Sequence, residues 1–367
     1  MVIERAFHAL QVRSKRPSGN AGTLITIAVP RELQSLYQGL PGQHIVVRAR
    51  IAGAEVRRTY SLICPVVGQT VEIAVRTEPA GAMSRYLSDV VEPGDLLEVM
   101  PPTGSFQSRL TGKGPRAYLM VAAGSGITPV LALLRAKLEQ EPDCTCTLLY
   151  GNRDTARMLC REEVLALKDR FLARLSLYFF MSREPQAQSR FNGRIDAARL
   201  QDFMTLYPRA PAFDECFVCV PSVQDGSLQS VLQANGVAGD RIHWESFTTT
   251  AQGQRSLSGA AAEQPASTAV EEGSEVAVTI VMGGRRRTFA TTTTTDSVLS
   301  AGLAAGLDLP YSCCGGVCST CRARIVEGEV EMAQNYALED WEVEAGFVLV
   351  CQSRAVTPTL VVDYDSV

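Results

Sequence analysis

Cys313, Cys318 and Cys321 stand in C-x4-C-x2-C spacing, and Cys351 follows after 29 intervening residues. No other stretch limits the fold so tightly. Two bridged irons need four thiolates, three of them from one tight loop, and this spacing supplies them. Gly315 and Gly316 are expected to let the backbone close around the irons, since glycine tolerates φ > 0 and carries no side chain. Structural zinc is the other reading, but zinc sites usually draw short C-x2–4-C arms from both ends, and Cys351 stands alone. Cys314 is read as a bystander, because taking it as first ligand gives x3 spacing. A [2Fe–2S] cluster moves one electron at a time, so another part of the chain must supply electrons.

A chain of 367 residues has room for two or three domains. Its net charge of −4 argues against a nucleic-acid partner. No run reaches ~18 uninterrupted apolar residues, so no membrane span is expected. The start Met1-Val2-Ile3-Glu4-Arg5 lacks a basic-then-apolar signal pattern. Of eleven cysteines, those outside the iron set are dispersed, mostly in apolar runs. That fits buried, reduced thiols and a cytoplasmic protein.

Residues 1–109 read as β. Short β-rich runs recur at 22–29, 44–51, 58–63, 70–77 and 95–101, separated by turn signals such as Pro41-Gly42 and Pro93-Gly94. Such punctuation suggests a small barrel or sandwich. Within it lies Arg58-Thr59-Tyr60-Ser61. Residues two apart on a strand share a face, so a ring and a guanidinium stand side by side. That suits a flavin, with Tyr60 against the ring system, Arg58 on phosphate and Ser61 on a ring nitrogen. Arg76 ends a later strand, and Gly81-Ala82-Met83-Ser84 follows at a loop-to-helix junction, where backbone amides and a hydroxyl form an anion site. Gly104-Ser105-Phe106 is read as closing this domain.

Residues 110–247 alternate strand and helix, the pattern of an open parallel sheet covered on both faces. Its first strand, 117–122, leads into Gly124-Ser125-Gly126-Ile127-Thr128-Pro129 and a helix to about Glu139. A glycine-rich turn there cradles a pyrophosphate, through Gly124, Gly126, Thr128 and Pro129. Arg153 follows the second strand, and Ser182-Arg183 follows the third. Guanidinium forks bind phosphate, so NADPH is expected, with NADH possible because Asp154 and Glu184 lie near. Cys216-Phe217-Val218-Cys219 has C-x2-C spacing but sits within an apolar strand, where Cys216 and Cys219 point to opposite faces. Cys219, at the strand's carboxyl end, faces the crevice.

Residues 248–273 carry few large apolar groups and read as a flexible linker. From 274 to 367 the pattern turns β again. Gly283-Gly284 marks a hairpin, and a short helix from about Val298 stops at Gly306. The cysteine loop and further strands follow.

Taken in order, Arg58-Thr59-Tyr60-Ser61, Gly124-Ser125-Gly126-Ile127-Thr128-Pro129 and Cys313-x4-Cys318-x2-Cys321 resemble the ferredoxin–NADP reductase superfamily with a plant-type ferredoxin fused at the C-terminus. The likeness covers nearly the whole chain apart from the linker. It implies a multidomain α/β and β protein: an antiparallel flavin-binding β-barrel, a Rossmann-like parallel α/β nicotinamide domain and a β-grasp ferredoxin domain. It also implies FAD as the flavin and an aromatic, Phe247, covering it. In the family the cysteine matching Cys219 lies by the nicotinamide and is usually followed by glycine; Val220 stands there in this chain. The tail from Asn335 to Leu338 and from Glu344 to Arg354 resembles reductase components of multicomponent oxygenases.

The resulting expectation is an electron-transfer reductase. Electrons pass from NADPH through FAD, with Ser61 and Cys219 at the hydride site, to a [2Fe–2S] cluster on Cys313, Cys318, Cys321 and Cys351. They leave to a separate oxygenase: a ring epoxidase, a steroid hydroxylase or an aromatic-ring dioxygenase. Only His8, His44 and His243 are histidines, and none sits with carboxylates at metal-ligand spacing, so substrate oxidation belongs to the partner. A zinc-stapled nucleotide-binding sensor is the rival from another class.

Overall fold

The computed structural model describes residues 6–64, 69–108, 110, 114–206, 213–221, 226–245, 275–292, 297–338 and 340–366. The chain divides into two compact units, Phe7–Phe247 and Thr248–Val367, the second taking in Met1–Ala6. Phe247 and the stretch expected as a linker lie outside the described residues.

The first unit opens with β1 (His8–Pro17), β2 (Gly22–Ala28), β3 (His44–Ile51), β4 (Ala54–Ser61), β5 (Thr70–Arg76) and β6 (Leu96–Thr103), with the short helix α1 (Ala82–Arg85) before β6. They pair antiparallel in the order β4-β3-β6-β1-β2-β5. Leu62, just past β4, bridges to Ile73 of β5, so the two edges meet and the sheet closes as a barrel. Its interior is filled by Leu10, Ile25, Ile45, Val47, Ile73 and Val99. Two elements differ from the sequence reading. β1 is absent from the expected runs, because only Leu10 and Val12 of it are buried; backbone pairing with β2 and β6 sets its place. β4 begins at Ala54 rather than Arg58, after a tight turn in which Ala52 and Gly53 take φ of 50° and 82°.

The unit continues with β7 (Ala117–Ala123), α2 (Ile127–Gln140), β8 (Thr145–Asn152), α3 (Arg161–Arg170), β9 (Leu175–Met181), α4 (Ala197–Leu206), β10 (Glu215–Cys219), α5 (Ser227–Ala234) and β11 (Ile242–Glu245). The sheet is parallel throughout, in the order β11-β10-β7-β8-β9. That order reverses between β7 and β10, which opens a crevice at their carboxyl ends. One face of the sheet carries Cys216 and Val218, the other Phe217 and Cys219, each in its own core. The core under α2 also takes in Leu24, Ile63 and Ala74 of the barrel. Phe106, at the end of the barrel's stretch of chain, lies edge-on to Phe217 with ring centroids 5.6 Å apart. One of these cores is thus common to barrel and sheet. At its base the buried Glu215 accepts from Ser108 and meets His243 Nε2 at 2.7 Å, while Lys137 Nζ donates to Ser108, Tyr118 and Glu141.

The second unit holds β12 (Glu275–Met282), β13 (Arg285–Thr292), α6 (Val298–Ala304), β14 (Arg322–Glu327), β15 (Val330–Met332), α7 (Asp340–Glu344), β16 (Phe347–Leu349), β17 (Ser353–Ala355) and β18 (Thr359–Asp363). Its main sheet runs β13-β12-β18-β14-β16, with β12 and β18 parallel at the centre, a β-grasp arrangement. Gly283 and Gly284 make the expected hairpin turn, both at positive φ, and their N–H groups donate to Asp365. Gly306 ends α6 at φ 80°.

Candidate functional site

The flavin motif is the carboxyl end of β4, residues 58–61. Arg58 and Tyr60 share a face, and burial first pushes the Tyr60 hydroxyl above its ordinary range, against the opposing pull of Arg58. Ser61 is 2% exposed, and its Oγ has no hydrogen-bond partner among the described residues. A buried hydroxyl left unpaired costs about 1–3 kcal/mol, so the position suits a group supplied from outside the chain. This is the observation by which the barrel fits a flavin.

Arg76 closes β5, and its Nε lies 3.3 Å from Glu78. Its guanidinium also lies over Gly124: a Cβ there would stand 2.4 Å from Arg76 Nη1. The barrel therefore brings a cation onto the glycine-rich turn of the sheet. The α1 junction differs from expectation in detail. Met83 is buried in the barrel core, so only its backbone is available to an anion. Ser84 Oγ donates to Gly81 O and accepts from Glu78 N, both at 3.1 Å, which spends the hydroxyl inside the turn.

In the crevice, Gly126 and Cys219 meet. A Cβ on Gly126 would stand 2.0 Å from Cys219 O, so only glycine lets α2 start this close to β10. Thr128 and Pro129 are buried in that first turn, and Thr128 Oγ1 donates to Ser125 O at 3.0 Å. Of the motif, Gly124 and Ser125 keep partial exposure. Burial first, and the Glu245 carboxylate second, push the Cys219 thiol well above its ordinary range, so it stands neutral. Glu245 pairs in register with Cys219 across the parallel strands. On the barrel side, His44 pairs with Ser61, and its Nδ1 lies 3.9 Å from Glu245 Oε1. His44 and Glu245 thus join the Ser61 end of the barrel to the Cys219 end of the sheet. Sequence reading missed both, because a lone histidine and a lone glutamate, 201 positions apart by their numbers, carry no spacing signal.

At the far end of the crevice, Arg153 and Arg183 lie exposed past β8 and β9, and Arg183 N donates to Arg153 O at 2.7 Å. Ser182 is exposed beside them. The two acids nearby are engaged locally. Glu184 accepts from Thr155 N and Oγ1, both at 2.7 Å, and Asp154 caps Arg157 N at 3.0 Å.

In the second unit the cysteine loop gathers its thiols. Cys313 neighbours both Cys318 and Cys351, and Cys351 also neighbours Cys321. The Cys318 thiol is held well above its ordinary range, first by its hydrogen bond with Cys313 and then by burial. Four thiols spread in adjoining pairs fit two bridged irons. Among the described residues no three His, Cys, Asp or Glu converge on one ion. The backbone corrects one expectation. Gly316 has φ 75°, but Gly315 does not take positive φ; Cys314 does, at 51°. That turn sends Gly315 N–H to Cys313 Sγ at 3.4 Å.

A closed barrel with a buried, unpartnered hydroxyl at Ser61, a crevice at a sheet's switch point and a cysteine loop brought beside Cys351 together define a flavin- and nicotinamide-dependent reductase with an iron–sulfur domain. Comparison with known proteins agrees along the chain. Residues 10–108 match an oxidoreductase FAD-binding domain, 120–220 an oxidoreductase NAD-binding domain, and 280–356 a 2Fe-2S iron-sulfur cluster binding domain. The chain is 36% identical over 360 residues to one of the subunits of the 1,2-phenylacetyl-CoA epoxidase of Escherichia coli, covering 98% of each. It is 30% identical to the ferredoxin reductase component of the 3-ketosteroid-9-alpha-monooxygenase of Rhodococcus rhodochrous, covering 93% of this chain and 92% of that one. Phthalate dioxygenase reductase shares the fold, with a TM-score of 0.59 at 22% identity over 97% of this chain and 98% of that one. The chain belongs to the ferredoxin–NADP reductase-like family of oxygenase reductase components that carry a C-terminal 2Fe-2S ferredoxin domain. It passes electrons from NAD(P)H through FAD and a [2Fe–2S] cluster to an oxygenase. Among the described residues no helix is long and apolar enough to cross a membrane.

Proposed function

We propose that this reductase serves a phenylacetyl-CoA ring epoxidase in phenylacetate breakdown and that it prefers NADPH. The full-length match to the Escherichia coli epoxidase component carries the first part. The local engagement of Asp154 and Glu184, beside exposed Arg153 and Arg183, supports the second. An acid free to hold a ribose 2′-hydroxyl would favour NADH; these acids are spent, and the guanidinium pair suits a 2′-phosphate.

On this reading Arg58, Tyr60, Ser61, Arg76 and the Gly81–Ser84 turn hold FAD, and Phe247 covers it. Gly124, Gly126 and the start of α2 hold the pyrophosphate, with Thr128 and Pro129 shaping the turn. Ser61 and Cys219 flank the hydride site, and Cys313, Cys318, Cys321 and Cys351 bind iron. FAD held there would supply the conversion from two electrons to one, since a flavin can accept one hydride and give up its two electrons one at a time. The protein's part is to exclude water at Cys219, to hold Ser61 as a donor or acceptor and to fix Glu245 against His44. Domain limits near 109, 247 and 273, and a cytoplasmic home for eleven cysteines that form no disulfide, belong to the same reading.

The test is reconstitution. Mixed with a phenylacetyl-CoA oxygenase component, the chain should couple NADPH oxidation to substrate-dependent product formation. Coupling to a ketosteroid oxygenase but not to the epoxidase would sink the choice of partner.

A further inference from the structure

Cys351 is far in sequence from the loop that carries the other three thiols, and one residue ties the two together. Gln352 Nε2 donates to Cys314 O at 2.9 Å, to Cys351 O at 3.2 Å and to Cys351 Sγ at 3.6 Å. All three neighbours are acceptors, which assigns the amide nitrogen, not the oxygen, to this side. The backbone of Gln352 is fixed on both sides, since its N–H donates to Leu349 O at 2.8 Å and its C=O accepts from Ala333 N at 2.9 Å. Its Cγ packs beside Gly316, where a Cβ would stand 3.3 Å from it. The left-handed Cys314 now has a reason. Its φ of 51° presents its carbonyl to Gln352 while the next N–H turns to Cys313 Sγ. A non-glycine residue keeps such a conformation only where its surroundings hold it.

We propose that Gln352 is a positioning residue of the iron–sulfur site. Its amide clamps Cys351 to the 313–321 loop and, by donating to the Cys351 sulfur, raises the cluster's reduction potential. Hydrogen bonds to ligand sulfurs are among the levers that set such potentials. The physical reason is that reduction adds negative charge to the cluster, and an N–H aimed at a sulfur stabilises the reduced form more than the oxidised one. Gln352 and Gly315 supply that stabilisation to Cys351 and Cys313, two thiols that neighbour each other.

The inference rests on Cys351 being a ligand, and the experiment separates the two ideas. In the full chain, the Cys351→Ser variant should lose the native spectrum of the cluster; a native spectrum there would reject the ligand assignment itself, and this inference with it. Gln352→Leu removes the donor, and Gln352→Glu keeps the length but offers a carboxylate. Potentiometric titration followed by electron paramagnetic resonance reads the result. Both variants should make the cluster harder to reduce, by at least threefold for Leu and tenfold for Glu, the latter a shift of ~59 mV. An unchanged or raised potential in either variant overturns the proposal. If Leu costs the cluster, Glu alone decides by its potential. Loss of iron from both, with the second unit still resistant to protease, upholds the clamp; iron-loaded Glu at the wild-type potential rejects it.

Discussion

Arg183 and Glu184 are adjacent, and the structure gives them opposite surroundings. The Glu184 carboxyl sits below the usual carboxylate range because it accepts first from the Thr155 backbone N–H and then from its hydroxyl. Arg183 makes no ion pair among the described residues. Removing one charge-assisted contact to a phosphate costs about 1.5–3 kcal/mol, so Arg183→Ala should weaken NADPH at least tenfold and leave NADH nearly unchanged. Steady-state constants for both coenzymes check this; equal wild-type efficiency with the two would end the argument for a 2′-phosphate site. Sequence alone pointed to Arg153 and Arg183 but left Glu184 as a competitor, because side-chain hydrogen bonds across 29 residues leave no trace in composition. His44, Glu245 and Gln352 escaped for the same reason: each matters through a partner brought near by folding.

Between elements, the closest approach in the crevice is the start of α2 against the end of β10. Leu131 and Leu134 of α2 are fully buried, and full burial of a leucine is worth about 1.5–3 kcal/mol, so the helix is drawn inward until backbone meets backbone at Gly126. A methyl group there has no flexible neighbour to displace. Gly126→Ala should cost about 1–3 kcal/mol through overpacking and lower the Tm of the first unit by a few degrees. It should also slow reduction of the flavin by NADPH. Calorimetry and stopped-flow absorbance measure the two effects, and a variant matching wild type in both would show that the contact is slack. The parallel sheet was the most legible part of the fold, since 117–122 and 216–220 are continuous apolar runs and the glycine-rich turn punctuates the first. The barrel was read less fully. β1 alternates too weakly to announce itself, and its position between β2 and β6 is a fact of pairing rather than of residue type. The cysteine loop was legible down to its spacing, yet besides Gly316 the residues at positive φ proved to be Cys314 and Ser319 rather than Gly315.

At the scale of the molecule, the two units invite a cut. A chain ending near residue 250 keeps Ser61, Gly124, Gly126 and Cys219 and lacks Cys313, Cys318, Cys321 and Cys351. It should reduce ferricyanide with NADPH at the full rate and support no oxygenase turnover. A side-by-side assay with the intact chain decides; full oxygenase turnover by the short chain would place the electron exit at the flavin. The first unit offers no comparable cut. Leu24, Ile63 and Ala74 of the barrel belong to the same buried cluster as residues of β7 and α2, which come later in the chain. Synthesis runs from the N-terminus at ~5–20 residues per second, so the ribosome delivers the barrel's strands seconds before their cover. During that interval the nascent barrel carries a bare apolar flank, the kind of transiently exposed surface that invites aggregation.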